Sequence, residues 1–280
     1  MRKEDINRKQ KKTPKRKRIK KQRMRIGSWN VRTLLAPGKM EESNELKKCE
    51  VDVASLQEVR WGGDGVIDRG EYAIWYGGSE KQESEGTVFL VQARTKEKGM
   101  EFNAYDSRIT YIKINCKPKQ ISLINVYPPT ETLEEKIKRA FYEKLGEVYE
   151  KTSKEDILML AGDFNAQIGR ELCYQEVAGP HTLHDVTNQN GEMVCDPAAA
   201  MNMPIMSTKF KHKAIHKITW VLPGKTTGNQ IDHVLIRKEN SNVINDTRSY
   251  RRANIYSVHI LVTVKCKIKV ATKQSMESKR

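Results

Sequence analysis

Apolar and polar positions fall into short β-type runs, with turn residues between them and a few stretches of helical period. Residues 26–31, 51–57, 72–75, 87–91, 109–114 and 121–127 read as strands, the last ended by Pro128-Pro129. Leu133, Ile137, Phe141, Leu145 and Val148 recur at a period near 3.6, which predicts an amphipathic helix over 131–150. Residues 157–161 are apolar throughout, the composition of a central strand covered on both faces. A short helix is expected at 41–49 and a weak one at 193–203, where Pro197 sits awkwardly. Strands at 218–222, 230–236 and 260–264 complete the set. Many strands, few helices and no internal repeat point to one α/β sandwich with a shared core.

Charge changes this picture at the ends. The chain has 280 residues, enough for one large domain, yet 31% of them are charged and only 38% hydrophobic. A disordered tail explains that imbalance better than a poor core. The first 25 residues hold 14 Lys and Arg against two acids, and the other 255 carry only +4 of the net +16. The expected organisation is a disordered basic arm at 1–23, a folded domain at 24–270 and a polar tail at 271–280. Lys15, Arg16, Lys17, Arg18, Lys20 and Lys21 are the centre of the arm, whose density suits a nuclear import signal or a nucleic-acid contact. The bland alternative is a solvated tail without a partner, but so many like charges repel unless a polyanion neutralises them. A nuclear location is the expectation. Five cysteines, an odd number without a C-x-x-C pair, argue against a zinc site or disulfide framework and fit a reducing compartment. No apolar run approaches the ~18–20 residues needed to span a membrane, and the N-terminus lacks the apolar core of a secretory signal. No heptad pattern supports a coiled coil, so the oligomeric state is open.

Polar side chains stand at the ends of several apolar runs: Asn30, Glu58, Tyr127, Asp163, Asn165, Asp232 and His259. Singly, each has an ordinary explanation as a turn former, surface charge or packed ring, and Gly-Asp-Phe-Asn at 162–165 could be no more than a turn. Together, polar groups at strand ends line one rim of a sheet, where loops carry function on a rigid scaffold. His233 adjoins Asp232 but points the opposite way along a strand, and is left out.

The segments LQEVRW (56–61), NVYPPT (125–130), GDFNAQIG (162–169), HKITW (216–220), GNQIDHVLI (228–236) and SVHILV (257–262) resemble, in order, the motifs of the endonuclease/exonuclease/phosphatase superfamily. SWNVRTL at 28–34 and the pairing of ITW with NQIDH resemble its LINE retroelement branch, RTE-type endonucleases above all. The likeness runs from about residue 24 to 268 and leaves out the basic arm. It implies a four-layer α/β sandwich, two packed mixed β-sheets flanked by helices. It further implies phosphodiester hydrolysis of DNA with Mg²⁺, or Mn²⁺ in its place, and no small-molecule cofactor. By the resemblance Glu58 is the principal metal ligand with Asn30 beside it. Asp163 orients and deprotonates the attacking water, and Asn165 holds that water or the phosphate. Tyr127 is the phosphate-side phenol, His259 bonds the scissile phosphate with Asp232 as its carboxylate partner, and Trp220 contacts nucleic acid. The chemistry is consistent with these roles: a hard cation on oxygen ligands offsets the anionic substrate, and one carboxylate must be free to take a proton.

Three departures stand against this pattern. The family's Ser-Asp-His reads Ser257-Val258-His259, removing a carboxylate where charge is needed. Upstream, Arg-Gly-Ala-Asp is replaced by Arg251-Arg252-Ala253-Asn254, where the Gly meets a backbone need that Arg does not meet cheaply. Pro197 is the third. Impaired cleavage with binding partly kept is therefore expected, with a silent nucleic-acid or chromatin-binding protein as the alternative. A phosphoinositide or sphingolipid phosphatase of the same superfamily ranks lowest, since no membrane-binding segment is present.

Overall fold

The computed structural model describes residues 21–34, 43–79, 85–222, 224, 227–253 and 257–271. Lys15, Arg16, Lys17, Arg18, Lys20 and Asn254 lie outside the described residues, and Lys21 enters through its backbone alone. The strands are β1 (Lys21–Asn30), β2 (Val53–Gln57), β3 (Gly63–Asp68), β4 (Tyr72–Ser79), β5 (Val88–Gln92), β6 (Met100–Ala104) and β7 (Ile109–Ile114). They continue with β8 (Ile121–Val126), β9 (Ile157–Asp163), β10 (Trp220–Val221), β11 (Gly228–Asn229), β12 (Asp232–Ile236), β13 (Ile244–Ser249) and β14 (Val262–Ala271). The helices are α1 (Ser43–Lys48), α2 (Ala93–Lys96), α3 (Glu135–Glu150) and α4 (Gln189–Ala200).

Among the described residues, one sheet has seven strands in the order β13-β14-β1-β2-β5-β4-β3, a second has five in the order β12-β9-β8-β7-β6, and β10 and β11 form a small ribbon. The β1–β2 and β8–β9 pairs are parallel and their other neighbours antiparallel, so both sheets are mixed. Between the sheets Ile26, Val53, Phe89 and Val264 meet Ile112, Leu123, Met159 and Val234. On the far face of the five-stranded sheet, Phe141, Leu145 and Val148 of α3 and Val194 and Ala198 of α4 cover Ile124, Leu158 and Leu160. Leu46 of α1 covers Ala54, Leu56 and Leu90 on the far face of the other sheet. The four layers expected from the resemblance are present, and each is an apolar face that must be buried.

The differences from the sequence reading have local causes. The α3 helix begins at Glu135 rather than at 131; Leu133 and Ile137 are exposed, and Lys138 takes a buried place instead. Its ammonium donates to Glu131 O at 2.7 Å and Gln189 Oε1 at 3.0 Å, which satisfies a cation in the interior. The stretch 218–222 shrinks to the two-residue strand β10, paired with β11 in a separate ribbon. Helix α4 starts at Gln189, where the Asn188 side chain accepts from Gly191 N at 2.9 Å, and Pro197 does fall inside it. Strands β3, β6 and β13 escape the apolar signal because they are sheet edges, half exposed and rich in polar residues. β1 begins at Lys21, so the strand takes up 21–23 of the segment read as arm.

Candidate active site

The site grows out of strand alternation. Ile26 faces the space between the sheets, and a period of two puts Ser28 and Asn30 on the same side. The same stride carries Val53 to Ser55 and Gln57, Leu123 to Asn125, Ala161 to Asp163 and Val234 back to Asp232. The inter-sheet core therefore turns from apolar to polar toward one rim, with all these polar groups buried. Gln57 Nε2 donates across to Asn125 Oδ1 at 2.7 Å, and Asn125 Nδ2 donates to Leu56 O and Val88 O at 3.0 and 2.9 Å. Gln57, Asn125 and Ser28 form the polar floor of the site and were absent from the sequence reading. A signal was available: stepping back two residues from Asn30 and from Tyr127 reaches Ser28 and Asn125.

Seven expected residues converge on this floor. Asn30 Nδ2 donates to Glu58 Oε1 at 2.7 Å and to Asp163 Oδ2 at 2.9 Å, joining carboxylates from the two sheets. Tyr127 Oη donates to Glu58 Oε1 at 2.7 Å, so the phenol is turned onto Glu58. His259 Nδ1 lies 3.3 Å from Asp232 Oδ2 and its Nε2 lies 3.6 Å from Asp163 Oδ2. Asn165 Nδ2 donates to Pro128 O at 3.1 Å, and its N–H donates to Asp163 Oδ1 at 3.0 Å. Glu58 and Asn165 both adopt left-handed backbone, with φ of 54° and 52°. Non-glycine residues in that region carry ~1–3 kcal/mol of strain and cluster at working sites. The turn re-aims Glu58, whose side chain would otherwise follow the outward face after Gln57. His233 does point away, its ring held by Ser207 Oγ at 2.8 Å and Ala166 O at 2.9 Å.

Above the floor opens a cleft of about 750 Å³, lined among others by Arg32, Glu58, Tyr127, Asp163, Asn165 and His259. Trp220 and Val258 line the same cleft. The backbone at Val258 is fixed: its carbonyl accepts from Val221 N at 2.9 Å, and Ile260 N donates to Thr219 O at 2.7 Å. Ser257 Oγ donates to Asn30 O at 2.7 Å, and Trp29 Nε1 donates to His259 O at 3.0 Å. The arm leaves from elsewhere. Lys21 stands at the far end of β1 from Asn30, nine residues away, or roughly 30 Å at ~3.3 Å per residue.

Burial by itself would lower the pKa of His259, but the charges of Asp163 and Asp232 and the Asp232 hydrogen bond raise it to about 9. Burial and the neighbouring Asp232 push Asp163 upward, against the His259 charge and the Asn30 hydrogen bond. Burial works against Glu58 too, yet hydrogen bonds from Asn30 and Tyr127 and the His259 charge hold it below its ordinary value. Tyr127 is driven up by burial, then by the Glu58 and Asp163 charges, and stays a phenol. His259, raised from 6.5 to about 9, contributes stability in full below 6.5 and loses it as pH climbs through 9. Asp163, also raised, binds its proton more tightly when folded, which gives the same downward slope. In EDTA the urea midpoint is expected to fall between pH 6.5 and 9, and less so in His259→Gln. A flat or rising midpoint in the unsubstituted protein would contradict these assignments.

The donor set suits a hard divalent cation. Three carboxylates, Glu58, Asp163 and Asp232, stand beside the His259 imidazolium and the Arg60 guanidinium, and Asp232 Oδ1 is buried without a hydrogen-bond partner among the described residues. Ligand atoms of Asp163, Asp232 and His259 lie within 4.8 Å of one another. Asn30 presents its amide nitrogen to the carboxylates, while its oxygen accepts from Arg32 N at 3.0 Å. To serve a cation with oxygen, that amide must turn over.

No protein-family model matches the chain. Over 248 residues it is 27% identical to craniofacial development protein 2 of Bos taurus, across 88% of this chain and 41% of that protein. The chain thus spans about two fifths of the length of that curated relative. The endonuclease domain of TRAS1, a telomere-specific non-LTR retrotransposon, superposes with a TM-score of 0.64 at 15% identity, over 88% of this chain and 99% of that one. An AP endonuclease from Archaeoglobus fulgidus gives 0.64 at 15% identity, over 88% and 100%. An endonuclease/exonuclease/phosphatase family protein from Leptotrichia buccalis gives 0.59 at 15%, over 88% and 100%.

Proposed function

We propose that this chain, which has the endonuclease/exonuclease/phosphatase fold, is a divalent-cation-dependent phosphodiester hydrolase acting on DNA, of apurinic/apyrimidinic-endonuclease type and slowed by Val258. The observation that carries the reading is the convergence of Glu58, Asn30, Asp163 and the Asp232–His259 pair beneath one open cleft. Glu58, with Asn30 beside it, would hold Mg²⁺ or Mn²⁺, which when bound offsets negative charge on the phosphate. Asp163 accepts a proton from water at its carboxylate, helped by the upward push on its pKa. Asn165, held by its left-handed backbone, orients that water or a phosphate oxygen. His259 keeps both ring protons at neutral pH, one directed to Asp232 and the other available to a phosphoryl oxygen. Tyr127 stays protonated and steadies Glu58. Trp220, on the cleft wall, would meet a base or sugar. Nicking of a supercoiled plasmid tests the reading: slow relaxation in Mg²⁺ that stops in EDTA is expected. Relaxation indifferent to EDTA, or kept in full in Glu58→Gln, would overturn it.

A second reading is a DNA- or chromatin-binding protein without turnover, located in the nucleus. It is favoured by the apolar Val258 side chain in the cleft and by the arm, whose root lies at the opposite rim. Deleting residues 1–20 is expected to flatten the salt dependence of duplex binding, by a slope of about 0.9 per lost phosphate contact. An unchanged salt slope would remove the arm from DNA binding and leave a receptor-read import signal.

A further inference from the structure

The carboxylate of Glu58 rests on a strained loop, and the loop has its own support away from the cleft. Both Glu58 and Arg60 have left-handed backbone, with φ of 54° and 64°. Val59 N donates to Gly86 O at 3.1 Å and Arg60 N to Glu85 O at 2.7 Å, so this turn is docked on residues 85–86. The approach is close: a Cβ at Gly86, whose φ is +108°, would meet Arg60 N at 3.0 Å. Glu85 is held in turn by Arg108 Nη2 at 2.5 Å and Ser107 Oγ at 3.3 Å. The other arm of the same guanidinium donates to Tyr127 O at 2.9 Å, and its carbon sits 5.2 Å from the centre of the Tyr127 ring. Tyr127 returns to Glu58 through its phenol, and Arg60 Nη2 reaches Glu58 Oε2 at 3.4 Å. The contacts form a closed ring from Glu58 through Tyr127, Arg108, Glu85 and Arg60 back to Glu58.

We propose that Arg108 and Glu85 are positioning residues that set the direction of the Glu58 carboxylate, and so the affinity of the site for a divalent cation. The inference rests on the reading of Glu58 as cation ligand. Neither residue lines the cleft. An exposed ion pair contributes little to stability; this one is about four-fifths buried on both sides and engages the two groups that bracket Glu58. Only a planar fork can bond Glu85, bond Tyr127 O and lie against the ring at once, which is a task for Arg rather than Lys. Partners that orient a ligand from outside typically change metal affinity by about 10–100-fold when removed.

The test is Mn²⁺ titration of the metal-free full chain by calorimetry. Arg108→Gln and Glu85→Gln are each expected to weaken Mn²⁺ binding by about 10–100-fold. The double variant should be no weaker than the worse single one, since both act through one ring, and Arg108→Lys should recover part of the loss. Arg139→Gln, which removes the exposed Arg139–Glu135 pair on α3, should leave binding unchanged. Should Arg108→Gln fail to fold, Glu85→Gln carries the test alone. Folded variants that bind Mn²⁺ as tightly as the unsubstituted chain overturn the proposal and leave the site reading intact. An unsubstituted chain that binds no Mn²⁺ sinks the site reading first, and this inference with it.

Discussion

Val258→Asp is expected to raise the rate of Mg²⁺-dependent plasmid nicking by about 10²–10⁴-fold, the size of effect that one acid–base or electrostatic group commonly has. The position allows it. Val258 lies on the cleft wall with Glu58, Asp163 and His259, and its main chain is held by Val221 and the neighbouring Thr219–Ile260 bond, independent of its side chain. Asp is close to Val in size, so the change adds charge without repacking. That charge has a cost. A fourth carboxylate joins Glu58, Asp163 and Asp232, which already lie close together beside His259 and the Arg60 guanidinium. The cation-free variant is expected to melt lower than the unsubstituted chain in EDTA, and to gain more from added Mg²⁺. Equal nicking rates in the two proteins would show that Val258 is no lesion.

In the Val258→Asp background, Asp163→Asn is expected to lower nicking by about 10²–10⁴-fold, because an amide cannot accept the proton from water. Stability should move the other way. The Asp163 carboxyl is pushed up by burial and by Asp232, so its ionised form is disfavoured near neutral pH. An isosteric neutral group relieves that repulsion and still offers an oxygen to Asn30. Melting in EDTA at alkaline pH should rise by a few degrees, given about 2–4 °C per kcal/mol in a domain of this size. The opposed signs separate a reacting carboxylate from a structural one, since loss of a structural partner lowers both. Nicking kept within tenfold of the parent would remove Asp163 from the reaction.

Alternation and local chemistry made much of this molecule legible in the chain itself. The strands at Ile109–Ile114, Ile121–Val126 and Ile157–Asp163 are central, and central strands announce themselves through a high apolar content. Polar residues at strand ends were visible for the same reason, as breaks in the pattern at Asn30, Glu58, Asp163 and Asp232. Edge strands such as Ile244–Ser249 carry too little buried surface to leave a mark. Other features depend on contact between distant segments, which no local pattern encodes. Glu58 faces the cleft only because its backbone turns left-handed, and Arg60, Glu85 and Arg108 hold that turn from up to 50 residues away along the chain. Gln57 and Asn125 look like ordinary strand residues until the two sheets stack and bring them to 2.7 Å. Local sequence thus determined which polar groups stand on or beside the ends of strands, because backbone period decides which face a side chain takes. Tertiary structure alone decided their distances, their protonation and their supports. Those quantities depend on burial and on charges arriving from other parts of the fold.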